Sequence, residues 1–149
     1  QGEGSKIPES KLSIIVALAD KMDSLTGLFA ANEIPTGSKD PFALRRSALG
    51  IIRIILHNNL RISLRDLIKH ALENYKSALP NLKIDEIAAQ ILSFLEERLR
   101  VILKEEGLDP SIIRAVLDQK RLNNKEDYFI YFRNKTLALD QLLKLSVIQ

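Results

Sequence analysis

Apolar residues recur at alternating intervals of three and four along most of this 149-residue chain. The first such series is Ile15, Leu18, Met22, Leu25 and Phe29. This spacing places the apolar side chains on one face of an α-helix, because a helix completes a turn about every 3.6 residues. Similar series continue along the chain, so the pattern predicts an all-α fold of about six helices.

Turn and capping residues place the boundaries of the second helix. Asp40 followed by Pro41 predicts its start, because a carboxylate accepts hydrogen bonds from the first free amides and proline suits the first turn. Asn58-Asn59 predicts its end. Its predicted buried face is Leu44, Ala48, Ile51, Ile52 and Ile55.

Three further helix starts are predicted from the same kinds of signal. Ser63 with Asp66 resembles a capping box and predicts a helix to about residue 76. Asp85 predicts the cap of a long helix that ends near Gly107, since glycine is common just after a helix. Asp109 followed by proline predicts a short helix to residue 117.

The end of the chain is less constrained by its sequence. Residues 119–125 are polar and predict a turn. Residues 127–147 predict a helix, although the aromatic and apolar run 128–132 could equally form a short strand. Because the chain starts at Gln1 and its only methionine is Met22, we expect it to be a piece of a longer protein.

Composition excludes several classes of functional site. The chain has no cysteine, which excludes disulfides, thiolate zinc sites, iron–sulfur clusters and a cysteine nucleophile. With only two histidines, a site built mainly on imidazole is disfavoured. No stretch approaches the ~20 apolar residues of a membrane span, so no membrane contact is predicted.

Basic residues are concentrated in one segment, which the net charge of +3 conceals. Residues 36–72 carry seven basic and two acidic side chains, whereas the segments before and after are net acidic. Such a block can bind phosphates, or it can be a solvated face that pairs with neighbouring carboxylates. The basic residues are Lys39, Arg45, Arg46, Arg53, Arg61, Arg65 and Lys69.

Two patterns within this block have alternative interpretations. Residues 36–39 (TGSK) lack the order and the preceding strand of a nucleotide-binding phosphate loop, which disfavours nucleotide hydrolysis. Arg46, Gly50, Arg53 and His57 share one face of the second helix. The glycine gap between two guanidiniums can bind phosphates, or it can admit a neighbouring helix while the arginines pair with carboxylates.

Asp20 and Asp23 lie one turn apart on the first helix and could bind a cation or act as acid and base. A cap or a salt bridge to Arg45 or Arg46 is the favoured interpretation, because structural ion pairs are common. The two histidines have no supporting pattern. We therefore predict no catalytic residue and no metal ligand in this chain.

Residues 14–56 closely resemble a known protein family. The runs are ALADKMDSLTGLF at 17–29, PTGSKDPFALRR at 35–46 and ALGIIRII at 48–55, with weaker segments at 94–99 and 112–117. In these runs the chain resembles the beta subunit of bacterial two-subunit glycyl-tRNA synthetase. The resemblance covers most of residues 7–118, and its unusual residue order makes chance similarity improbable.

The resemblance implies a domain organisation and a set of partners. Residues 1–76 would be the C-terminal part of an HD-like helical domain, and residues 77–149 a helical extension leading toward an anticodon-binding domain outside this chain. Asp20 matches the last metal-ligand position of HD phosphohydrolases, whose other ligands would lie upstream. The implied partners are the alpha subunit and tRNA-Gly. The implied location is the cytoplasm.

The resemblance also implies how the parent enzyme divides its work. The parent would be a glycine–tRNA ligase, in which the alpha subunit uses ATP and magnesium to attach glycine and this chain holds no cofactor. We expect Lys39, Arg45, Arg46, Arg53 and Arg61 to contact tRNA. The alternative is a structural scaffold that packs domains or the alpha subunit without touching RNA.

Overall fold

A computed structural model describes residues 9–119 and 128–148. These residues form six α-helices and no strand, which confirms the predicted all-α fold. The helices are α1 (Glu9–Ala30), α2 (Leu44–His57), α3 (Leu64–Glu73), α4 (Ile84–Glu105), α5 (Pro110–Asp118) and α6 (Tyr128–Ile148).

The buried apolar side chains of all six helices belong to one cluster. Helix α1 packs against α2, α3 and α4, while α2 and α3 both pack against α4. Helix α5 contacts α4 and α6, and α6 returns to α2. The division at residues 76 and 77 and the HD-like description stay predictions, and α4 joins the same core as the helices before that division.

Helix α1 follows the predicted apolar face except at its N-terminal end. Leu18, Met22, Leu25 and Phe29 are buried, but Ile15, which shares their face, is 42% exposed. The series continues in sequence beyond the point where neighbouring helices cover it. Ile15 instead lines an open groove between α1 and the α2–α3 connection.

Helix α2 has its predicted buried face, but it begins later than predicted. Asp40 does cap it, through Oδ1 to the Leu44 amide at 2.8 Å and Oδ2 to the Arg45 amide at 3.0 Å. The N-cap position is nevertheless Ala43, in a left-handed conformation with φ 53°. One extra turn separates Asp40-Pro41 from the helix, so the proline lies in that turn rather than at the first helical position.

The predicted end of α2 is confirmed at Asn58-Asn59. Asn59 has φ 51°, and the following Leu60 amide donates to the Ile55 carbonyl at 2.9 Å. Asparagine tolerates this left-handed conformation better than most residues, so it terminates the helix in place of glycine.

The predicted cap of α3 is confirmed, and the predicted cap of α4 was wrong. Ser63 accepts a hydrogen bond from the Asp66 amide at 3.3 Å, and α3 ends at Glu73, before residue 76. Helix α4 starts at Ile84, with Lys83 rather than Asp85 at the N-cap. Asp85 lies in the first turn, where it pairs with Lys69 of α3 at 3.1 Å.

The last two helices agree with the sequence. Gly107, with φ 88°, ends α4 as predicted. Asp109 caps α5 by accepting from the Ser111 amide at 2.8 Å, and the Ser111 bonds hold the pKa of Asp109 below its ordinary value. Residues 128–132 are helical in α6. The turn predicted at 119–125 lies outside the described residues apart from Gln119.

Candidate nucleic-acid interface

The loop before α2 is a closed turn in which two backbone amides are hydrogen-bonded within the loop. The Thr36 and Lys39 amides each donate to the other residue's carbonyl, at 3.0 and 2.8 Å. Gly37, with φ 55°, makes this turn possible because larger residues rarely adopt that conformation. The turn thus presents the exposed Lys39 side chain at its end.

Arg45 holds this turn rather than extending into solvent. Its Nη2 atom donates to the Gly37 carbonyl at 2.7 Å. Since the Arg45 amide is also bound by Asp40, the residue ties the loop to the first turn of α2 at two points. Arg45 therefore positions Lys39, and its guanidinium is only partly available to a ligand.

The exposed face of α2 carries three cations from two helices. Arg46 and Arg53 lie one turn before and after Gly50, and both are exposed. A Cβ atom at Gly50 would lie 3.4 Å from Cε of Lys21 and 3.5 Å from its Nζ. The Lys21 side chain of α1 therefore lies across α2 at the glycine gap. We call Lys21, Arg46 and Arg53 the α1–α2 basic surface.

These three cations are weakly compensated by nearby carboxylates. Arg53 contacts Glu105 of α4 at 3.5 Å, with the two side chains 56% and 62% exposed. Exposed pairs of this kind contribute about 0–1 kcal/mol, so the contact does not lock the guanidinium. Arg46 and Lys21 make no ion pair with any residue that the structure describes. Their charges are therefore available to an anion from solution.

Arg61 lies apart from the α1–α2 basic surface. It follows the C-terminal end of α2, is exposed, and lines the groove beside α1 together with Ile15 and Leu60. The predicted set thus divides into three places: Lys39 with Arg45 at the loop, Arg46 with Arg53 on α2, and Arg61 at the groove. RNA contact by these residues stays a prediction.

The interpretation of Asp23 as an arginine partner was wrong, and its true partner is Tyr75. The Tyr75 hydroxyl donates to Asp23 Oδ1 at 3.0 Å and contacts its carbonyl oxygen at 3.2 Å. The ring lies over Gly27, where a Cβ atom would come within 2.6 Å of the Tyr75 oxygen. Partial burial, and then the Asp23 carboxylate, raise the pKa of Tyr75 above its ordinary value of 10.0. Asp23 and Gly27 therefore serve packing.

The described ranges hold neither a cluster of metal ligands nor a membrane-spanning helix. Nowhere in residues 9–119 and 128–148 do three acidic or histidine side chains come together as metal ligands would. In the same ranges, no helix combines the length and apolarity needed to cross a membrane.

Lys21 belongs to the basic surface although the sequence does not predict it there. The sequence position of Lys21 on α1 does not reveal that its side chain lies over Gly50, because that contact depends on how α1 and α2 cross. The available signal was the glycine gap itself, which predicts that some group from a neighbouring element approaches α2 there.

Comparisons with known proteins agree with the resemblance in residues 7–118. The sequence model of the family described as glycyl-tRNA synthetase beta subunit matches residues 1–118. The glycine–tRNA ligase beta subunits of Dinoroseobacter shibae and Paracoccus denitrificans are 40% and 41% identical over 96% of this chain. That of Rhodospirillum centenum is 45% identical over 77% of it, which is 16% of the relative's own length.

The chain spans about a fifth of the length of the first two relatives, at 23% and 19%. The family match nevertheless covers all of α1–α5, including the loop before α2 and the α1–α2 basic surface. The chain therefore belongs to the glycyl-tRNA synthetase beta subunit family.

Proposed function

We propose that this chain supplies a tRNA-binding surface and part of the architecture of a glycine–tRNA ligase. The parent enzyme joins glycine to tRNA-Gly with ATP, and that reaction belongs to the separate alpha subunit. This chain contributes no catalytic residue, so alone it has no aminoacylation activity. Its partners are the alpha subunit and tRNA-Gly, and it works in the cytoplasm, where protein is synthesised.

The observation that carries this proposal is the arrangement of Lys21, Arg46 and Arg53 around Gly50. Three cations share one exposed face, and the nearest compensating carboxylate, Glu105, makes only a long and solvated contact. Self-repulsion makes such a group costly unless an anion offsets it. A nucleic-acid backbone supplies phosphates at regular spacing along such a face.

The chemistry of these side chains suits backbone contact rather than base reading. A guanidinium binds phosphate through two parallel hydrogen bonds, and an ammonium binds it as a point charge. The absence of side-chain bulk at Gly50 leaves room for the Lys21 side chain, which adds an ammonium between the two arginines. Contacts of this kind fix the position of the RNA without reading its sequence.

Lys39 extends this surface from the loop before α2. Its position depends on the Thr36–Lys39 turn and on the hydrogen bond from Arg45 to Gly37. Arg61 would add a further contact beyond the other end of α2. The five predicted residues would thus contact RNA from three separate places, with Arg45 acting mainly on the loop.

A salt titration of tRNA binding tests this function. We compare the unmodified chain with the Arg46→Gln plus Arg53→Gln variant, using a transcribed tRNA-Gly. We plot the logarithm of the binding constant against the logarithm of the salt concentration. The slope for the variant should be less steep than that of the unmodified chain, by about 0.7–0.9 for each phosphate that the variant no longer neutralises. Lys11→Gln plus Lys83→Gln is the matched control, because both lysines are exposed and neither belongs to the α1–α2 basic surface.

An unchanged affinity and salt slope in the Arg46 and Arg53 variant would contradict RNA binding by this surface. A decrease of equal size in the Lys11 and Lys83 control would contradict it as well, because the effect would then follow net charge rather than position. Circular dichroism of each variant establishes that the helices are retained.

The second candidate function is a structural scaffold without RNA contact. It is favoured by exposed apolar side chains on α1, where Leu12, Ile15 and Val16 are 42–50% exposed and Ile15 lines a cavity of about 850 Å³. Another domain or the alpha subunit could cover this face. Under this alternative, Ile15→Asp weakens association with the alpha subunit, while the Arg46 and Arg53 variant leaves tRNA binding intact.

A further inference from the structure

A second basic site lies where α4 meets α5, and α4 belongs to a segment whose sequence is acidic overall. Residues 73–109 carry eight acidic and five basic side chains. A cavity of about 260 Å³ in this region is nevertheless lined by four basic residues and one acidic residue. Its floor is apolar and includes Val101 and Ile113. The charged lining residues are Arg98, Arg100, Lys104, Arg114 and Glu97.

Carboxylates near the cavity are engaged by a single arginine. Arg100 Nε lies 3.3 Å from Glu97 Oε2, and its Nη2 lies 3.7 Å from Asp118 of α5. Both acidic groups therefore hold Arg100 in place across the two helices. Arg98, Lys104 and Arg114 form no ion pair with the residues that the structure describes. The cavity consequently has uncompensated positive charge.

Two guanidinium nitrogens at this site are buried without a hydrogen-bond acceptor. They are Nε of Arg98 and Nε of Arg100, the latter lying close to Glu97 but outside hydrogen-bond geometry. Arg98 is held over the Phe94 ring, with Cζ 5.8 Å from its centroid. A buried donor without an acceptor is unfavourable, and native proteins rarely leave one unsatisfied. Both nitrogens have almost no exposed surface, so an anion in the cavity would be bound by the outer nitrogens of these guanidiniums.

We propose that this cavity binds a phosphate group of tRNA, at a site separate from the α1–α2 basic surface. A phosphate fits because its oxygens can accept from Arg98 and Arg100 while Lys104 and Arg114 neutralise its charge. The apolar floor suits the sugar that adjoins a backbone phosphate. The choice of tRNA as the source rests on the proposed function, whereas the affinity for phosphate does not.

Nuclear magnetic resonance of the arginine side chains tests the phosphate site directly. The probe is inorganic phosphate, titrated into the 149-residue chain against sodium chloride at matched ionic strength. We expect saturable shifts of the Nε–Hε signals of Arg98 and Arg100. The Lys104→Gln plus Arg114→Gln variant keeps both reporting arginines and should lose the saturable response. Lys11→Gln plus Lys83→Gln should retain it.

Binding of transcribed tRNA-Gly then identifies the source of the phosphate. The Lys104 and Arg114 variant should lower the salt slope by about 0.7–0.9 for each phosphate left without its cation, and the Lys11 and Lys83 control should not. An excess of inorganic phosphate should reduce the difference between this variant and the unmodified chain. These measurements are made separately from those on Arg46 and Arg53, so each surface can fail alone.

Each remaining outcome overturns the proposal. Without saturable shifts at Arg98 and Arg100, the cavity is not a phosphate site, even if Arg46 and Arg53 bind tRNA. If phosphate shifts both signals while the Lys104 and Arg114 variant binds tRNA with an unchanged slope, the site serves a free phosphorylated ligand. If the variant loses affinity only for the alpha subunit, the cavity receives a protein carboxylate instead.

Discussion

Replacing Gly27 by alanine tests how Tyr75 is held on α1. Alanine is normally the better residue inside a helix, by about 0.5–1 kcal/mol relative to glycine. At Gly27, however, the new Cβ atom would lie 2.6 Å from the Tyr75 oxygen and 2.9 Å from Cζ. These separations are too short for real contacts, so the ring must move.

The cost of moving the ring can be worked out from its contacts. The Tyr75 hydroxyl has one proton, so it would lose one shared hydrogen bond to Asp23, worth about 0.5–1.5 kcal/mol, and its ring would lose the contact with Gly27. If the ring stayed in place instead, overpacking would lower the free energy of unfolding by about 1–3 kcal/mol. Either response exceeds the gain in helix propensity. We therefore expect Gly27→Ala to lower the free energy of unfolding by about 1 kcal/mol.

Gly50→Ala is the matched control, because it adds the same methyl group to a helix face that only a flexible side chain covers. Its Cβ atom would lie 3.4 Å from Lys21 Cε, near the mobile end of that side chain. With no comparable obstacle, this variant should gain about 0.5–1 kcal/mol from helix propensity. The two glycine substitutions should therefore change stability in opposite directions.

Urea unfolding followed by circular dichroism measures both effects. In a Tyr75→Ala background the obstacle is gone, so Gly27→Ala should become stabilising by about the same amount as Gly50→Ala. The reasoning would be refuted if Gly27→Ala were equally stabilising with and without Tyr75. An altered dependence on urea concentration would indicate a change in the denatured state instead.

Three further substitutions test the cap, a titrating group and the core. Asp40→Ala should lower the free energy of unfolding by about 1–2 kcal/mol because two α2 amides lose their acceptor; an unchanged urea midpoint would contradict this. The pKa of Tyr75 is raised on folding, so the neutral hydroxyl contributes to the free energy of unfolding. This contribution is complete below the ordinary pKa of 10.0, and it disappears as the pH rises through the pKa of the folded state. Tyr75→Phe should therefore lose less stability than the unmodified chain above that pH, and parallel losses would be evidence against the linkage. Ile52→Ala should lower the free energy of unfolding by about 2–5 kcal/mol because Ile52 is fully buried. Ile15→Ala should change it by about 0.5 kcal/mol or less. Similar unfolding midpoints for the two variants would contradict the packing of these side chains.

The positions of the helices follow largely from local sequence. Apolar spacing and capping residues predicted about six helices, with a short strand left open at 128–132, and Ser63 and Asp109 marked two of the starts correctly. These signals work because a helix is stabilised by residues three and four apart and a cap acts within one turn. The long runs in 14–56 likewise sufficed to identify the family.

Local signals failed where several groups compete for one role. Asp85 has a good capping side chain, yet the carboxylate pairs with Lys69 of α3 and the helix starts at Ile84. Asp40 caps α2 from one turn further away than predicted. Ile15 continues the apolar series but lies where no described helix covers it. In each case the outcome depends on a neighbouring element.

By itself, the sequence determined that this chain is all-α, belongs to the glycyl-tRNA synthetase beta subunit family and has a basic block along α2. Only the tertiary structure decided which charges lie together. It assigned Asp23 to Tyr75, brought Lys21 over Gly50, and placed Arg98 and Lys104 of the acidic segment 73–109 at one cavity with Arg114 of α5. The reason is physical: helix formation depends on near neighbours in sequence, whereas electrostatic environment depends on distance in space after the helices have packed.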